Sequence, residues 1–107
     1  MKLILSLAVL CLVFPATADP LCIDGHPAPR SKNLTYGGLA PHRGYERDHY
    51  IPLCLGGQDT LDNMRYQQYP AARHKDEEER RLCELMCAGK ITQEIAIEKL
   101  MNDWTGP

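Results

Sequence analysis

An α+β fold is expected, because two strand-like segments are followed, without alternation, by two helix-patterned ones. The first runs from Tyr45 to Leu55, is rich in aromatic and branched residues, and ends at the turn Gly56-Gly57. Pro52 makes this strand short or places it at an edge, since proline has no N–H to give a ladder. Asp59 to Asn63 reads as a turn and Met64 to Gln68 as a second short strand, which Pro70 ends. A helix is then expected from about Ala71 to Ala88. Leu82, Leu85 and Met86 form its apolar stripe, the acids Asp76, Glu77, Glu78 and Glu79 lie in its first half, and Gly89 is its left-handed stop. Thr92 caps a last helix reaching Trp104, whose face of Ile97, Leu100, Met101 and Trp104 has the pattern of core packing. From Asp19 to Gly44 proline and glycine recur without any period, so this stretch reads as an ordered loop.

The start of the chain has a different character. Met1-Lys2, an apolar run from Leu3 to Phe14 and then Pro15-Ala16-Thr17-Ala18-Asp19 make the three parts of a secretory signal, with cleavage expected after Ala18. The run is too short for a stable membrane span, which takes roughly 20 apolar residues. A secreted or periplasmic protein is therefore expected, with no membrane attachment after cleavage. Residues 19–107 suffice for one small domain with a marginal core, which cross-links would help. Cys11 leaves with the signal, and Cys22, Cys54, Cys83 and Cys87 remain for two disulfides. Of the three pairings, Cys83 with Cys87 is disfavoured, because side chains four apart on a helix lean the same way. Cys22 with Cys87 and Cys54 with Cys83 is the preferred arrangement. A zinc site is the rival, but one Cys-x-x-x-Cys without a second pair signals zinc weakly. Asn33-Leu34-Thr35 fits the N-glycosylation pattern, which has meaning only in a eukaryotic host.

The formal charge of the chain is −2. That weighs against a tight, passive DNA binder, which would be basic. It weighs less against a metal-dependent nuclease, because a bound cation supplies positive charge where the phosphate sits. Local sign also departs from the average: Arg43, Arg47, Arg65, Arg73, Arg80 and Arg81 surround the segment that carries the chemistry.

That segment is Glu46-Arg47-Asp48-His49, followed by Ile51-Pro52-Leu53, Gly56-Gly57 and Asn63. Phosphodiester hydrolysis needs a base for water and a cation against the charge that builds on phosphate. Histidine suits the first task near neutrality, and a carboxylate suits the second, since hard divalent ions prefer oxygen. Adjacent strand residues point to opposite sides, so Asp48 and His49 serve one pocket only if the strand bends near its end.

The ordered series Glu46-x-Asp48-His49-x-Ile51-Pro52-Leu53-x-x-Gly56-Gly57, then Asn63, Lys75-Asp76-x-x-Glu79, Cys87-x-Gly89 and Asp103-Trp104 resembles bacterial and phage HNH endonucleases of the His-Me finger group. The resemblance covers about Tyr45 to Trp104 and implies a ββα-metal core in which two strands and a helix clasp one divalent ion. It implies His49 as general base and Asp48 as a metal ligand. Asn63 would fix the loop that orients His49 or bind the metal. On the helix, His74 is the natural candidate for the third ligand and Asp76 the alternative. Glu46, Lys75, Asp76 and Glu79 would support the site, for example as an ion-pair network holding the helix on the strands. The family often has an acidic residue after Ile-Pro-Leu; Cys54 stands there, consistent with an extra disulfide. Mg²⁺ is the first candidate for the ion, and Mn²⁺, Zn²⁺ and Ni²⁺ follow.

Arg47 and Arg65 flank the proposed site and are candidates for substrate phosphates. Tyr45, Tyr50, Tyr66 and Tyr69 are candidates for stacking on unpaired bases, or for plain packing. His26 and His42 read as surface residues, and Glu77 and Glu78 as a solvated face. The expected substrate is DNA foremost, then RNA, with little sequence preference and no obligate protein partner. Two alternatives stand beside the enzyme: a disulfide-stapled binding module without turnover, and a nuclease toxin.

Overall fold

Two five-residue strands supply the frame. β3 (Tyr45–His49) and β4 (Met64–Gln68) pair antiparallel, with Tyr45 opposite Gln68, Arg47 opposite Tyr66 and His49 opposite Met64. Side chains alternate along each strand, so Tyr45, Arg47 and His49 share one face with Met64, Tyr66 and Gln68. Glu46 and Asp48 share the other with Arg65 and Gln67. A smaller sheet precedes them: β1 (Cys22–Ile23) and β2 (His26–Pro27) are joined through Asp24 and Gly25, both at positive φ. Helices α1 (Ala71–Cys87) and α2 (Gln93–Asp103) follow the strands. The computed structural model describes residues 20–30 and 38–103, and within them the chain is an α+β fold of two short sheets and two helices.

Helix α1 lies on the face of the strand pair that carries Glu46 and Asp48. Gln67 on that face is buried, and Lys75 of α1 meets Asp48 there. Behind α1, Leu82 and Cys83 pack with Leu55, and with Ala96 and Leu100 of α2, in one apolar cluster. Ile51, Cys54, Met86, Ile97 and Met101 close around it. Each fully buried leucine contributes about 1.5–3 kcal/mol. The Thr92 hydroxyl accepts the Ile95 N–H at 3.1 Å and caps α2, while Gly89 (φ 78°) turns the chain out of α1.

Both disulfides follow the preferred pairing. Cys22–Cys87 (Cα–Cα 5.5 Å) fastens β1 to the end of α1, and Cys54–Cys83 (6.0 Å) fastens a short 3₁₀ turn, Leu53–Leu55, to its middle. They close 65 and 29 residues of chain, which restricts the unfolded state by roughly 2–4 kcal/mol each. Such bonds are consistent with an extracellular or periplasmic protein. Among the described residues no helix is long and apolar enough to cross a membrane. The expected signal segment, Asn33 to Thr35 and Trp104 lie outside the described residues.

Two expectations need correction. The first strand ends at His49 and not at Leu55, because the chain bends at Tyr50 and Pro52 leads into the 3₁₀ turn. The stretch expected to be loop contains β1 and β2, whose two residues each are too few to show a period.

Candidate functional site

The turn after β3 is shaped by one side chain. Asn63 accepts the Ile51 N–H at Oδ1 (2.9 Å), and its Nδ2 donates to the carbonyls of Ile51 (2.9 Å) and Gln58 (2.8 Å). Its own carbonyl accepts the Tyr50 N–H at 2.7 Å. Gly57 is required here by space, since a Cβ at that position would lie 1.8 Å from the Ile51 carbonyl oxygen. Of the two roles weighed for Asn63, its contacts correspond to fixing the loop. It borders a separate, shallower hollow, away from the carboxylates considered next.

Lys75 ties the end of β3 to α1. Only 1% exposed, it holds its ammonium 2.6 Å from Asp48 Oδ2, donates to the His49 carbonyl at 3.2 Å and forms an ion pair with Glu79. The contact with Asp48 is ionic more than directional, since Oδ2 has no well-aligned hydrogen bond despite the short distance. One cation thus engages both members of the Asp48-His49 pair, the first by its carboxylate and the second by its backbone.

Carboxylates outnumber that cation. Oxygens of Glu46, Asp48 and Asp76 lie within 4.8 Å of one another. Burial pushes the Glu46 carboxyl up to about 7, helped by a hydrogen bond with Asp76 and by the charges of Asp76, Asp48 and Glu79. Burial likewise pushes Glu79 up to about 7, against the opposing pull of Lys75. A protein that gathers acids until they retain protons near neutrality has a set of hard oxygen donors suited to a divalent ion. Glu46, Asp48 and Asp76 could hold such an ion through one oxygen each.

On the opposite face of the strand, His49 Nε2 lies 2.8 Å from Asp59 Oδ1. Both side chains are more than nine-tenths buried. With Asp59 accepting the Nε2 proton, the imidazole lone pair is at Nδ1, and a positive charge developing on the ring is met by a carboxylate. The other oxygen of Asp59 is buried with no hydrogen-bond partner. Asp59 was not singled out from the sequence, where it reads as a turn acid. The signal available was a carboxylate ten residues beyond the histidine, across the Gly56-Gly57 turn.

A cleft of about 940 Å³ brings these groups together. Glu46, Arg47, Asp48, His49, Asp76 and Glu79 all line it, so residues from both faces of β3 border one space. Arg30, Arg43 and Arg80 also line it. Besides Asn63, two further candidates are placed elsewhere. His74 is exposed on α1 and outside the carboxylate group, because two residues of helix separate it from Asp76 by about 200°. Arg65 is not part of the cleft wall: it bonds Gln67 and lies 4.8 Å from the centre of the Tyr50 ring. Arg47 does line the cleft, with Nη1 donating to the Leu39 carbonyl at 3.2 Å.

No protein-family model, curated protein or solved structure matches the chain.

Proposed function

We propose that this protein is a metal-dependent endonuclease that hydrolyses phosphodiester bonds, DNA foremost, with low sequence specificity. The observation that carries the proposal is the shared cleft, which is lined by a carboxylate-held imidazole and by three convergent carboxylates. Glu46, Asp48 and Asp76 would hold the ion, with Mg²⁺ the first candidate. When bound, the ion supplies positive charge against the scissile phosphate and the departing 3′ oxygen.

The chain's own residues do the rest. His49 takes a proton from water at Nδ1, and Asp59 holds the ring and faces the imidazolium that results. Lys75 fixes Asp48 and the His49 backbone relative to α1, so acid and base keep their separation. Arg30, Arg43, Arg47 and Arg80 bring positive charge to the cleft wall where a phosphate backbone would run. Plasmid cleavage with and without a chelator, in the parent and in His49→Ala, tests the proposal. Cleavage is expected to need both the divalent ion and the imidazole, and activity that survives His49→Ala ends it.

One observation favours a second function. The Lys75 ammonium already neutralises Asp48 at 2.6 Å, as in a purely structural ion pair. A disulfide-stapled binding module without turnover would use it in that way. Calorimetry with Mg²⁺, Mn²⁺ and Zn²⁺ separates the two, because the module predicts no heat of binding.

A further inference from the structure

We infer that the rim of the cleft receives an unpaired nucleic-acid strand, its bases stacking on Tyr45 and Tyr66 while its backbone enters the cleft; this rests on the nuclease function proposed above and specifies its substrate.

The two tyrosines are diagonal neighbours on the face of the strand pair that also carries His49. They remain 36% and 38% exposed. Their ring centroids are 6.3 Å apart in an edge-on arrangement, and the His42 ring sits 4.8 Å from Tyr45 and 5.4 Å from Tyr66. The Tyr66 hydroxyl donates to the Ala40 carbonyl, which anchors that ring in its orientation. An aromatic ledge is thus preassembled among the described residues and left partly exposed. His42 and Tyr45 belong to the cleft wall itself, so ledge and cleft are continuous. Four residues of strand separate Tyr45 from His49, ~13 Å, the length of a few nucleotides.

Charge decides between a strand and a duplex. Affinity for a duplex comes mainly from neutralising many phosphates on a stiff, highly charged rod. A chain of formal charge −2 is poorly equipped for that. Arg43 and Arg47 flank Tyr45 and line the cleft, which places positive charge beside the ledge and not over a broad surface. Aromatic rings interleaved with a few arginines suit unpaired bases, whose faces are available for stacking; in a duplex those faces are already stacked on each other. Stacking makes little distinction between deoxyribose and ribose, so both kinds of single strand are included.

The test is fluorescence anisotropy on the mature, disulfide-bonded protein with chelator present, so that binding is read without cleavage. The probes are labelled dT12, U12 and a blunt DNA hairpin of matched charge. We expect dT12 and U12 to bind within a few-fold of each other and at least tenfold more tightly than the hairpin. Tyr45→Ala and Tyr66→Ala should each weaken dT12 binding by roughly fivefold or more, and Tyr45→Phe should restore it. Near-UV circular dichroism and the melting temperature establish that the variants are folded. Equal or tighter binding of the hairpin, absence of dT12 binding, or folded alanine variants with parental affinity would each overturn the inference. Cleavage assays with Mg²⁺ report separately: strand binding without cleavage defeats the nuclease and leaves the ledge, while cleavage with a duplex preference does the reverse.

Discussion

His49 and Asp59 are joined through Nε2 and Oδ1 at 2.8 Å, with both side chains buried. The pair lies where β3 ends, so the imidazole is oriented by a residue from beyond the Gly56-Gly57 turn and not by its own strand. Asp59→Asn keeps the shape but can present an N–H to Nε2, favouring the other tautomer. We expect kcat to fall about a hundredfold or more with KM little changed. Nitrogen-15 NMR of the imidazole should report the tautomer switch, and an unchanged tautomer would remove Asp59 from this role.

Lys75 is a buried cation that holds two carboxylates together. Lys75→Met leaves Asp48 and Glu79 facing each other without their cation, and breaking a buried pair in this way costs about 3–5 kcal/mol. Urea denaturation should show a loss of that size. A loss below about 1 kcal/mol would mean the pair is solvated and unimportant.

The raised carboxyls make stability depend on pH with a definite sign. Glu46 and Glu79 titrate near 7 in the folded protein and near 4.5 when unfolded. Between these values the folded state binds more protons, so stability from these groups is full below about 4.5 and is lost as pH rises through about 7. With chelator present, the melting temperature should drop by ~5 °C or more from pH 5 to pH 8. Glu46→Gln should flatten the slope, and a melting temperature that climbs over this range would contradict the assignment.

Loop geometry supplies another test. Gly57→Ala would bring a methyl within 1.8 Å of the Ile51 carbonyl oxygen, so the Asn63 bridge must shift. We expect a loss of roughly 2 kcal/mol or more in urea titrations and lower activity, since the same loop carries Asp59. An alanine variant with parental stability would show that the turn adapts.

Much of this arrangement could be read from residue type and spacing. Met64–Gln68, α1 and α2 followed from apolar pattern, a capping threonine and a glycine stop, which are local signals. Excluding the in-helix pair leaves two disulfide pairings open, and the preferred one is the one formed. Asp59 was illegible for a physical reason: aspartate is among the commonest turn residues, and only three-dimensional closure brings it to His49. His74 is the natural candidate from the sequence and Asp76 the alternative, and helix phase places Asp76, not His74, with the other carboxylates. Asn63 was ambiguous because an amide serves a loop or an ion equally well, and hydrogen bonds to backbone distinguish the two only in coordinates.

Both cross-links end on α1, the helix that brings Asp76 and Glu79 to the cleft and carries Lys75 behind them. While the thiols are unoxidised, this wall lacks its two covalent anchors. A copy whose thiols stay reduced is therefore expected to be poorly assembled, so completion of this wall depends on an oxidising environment.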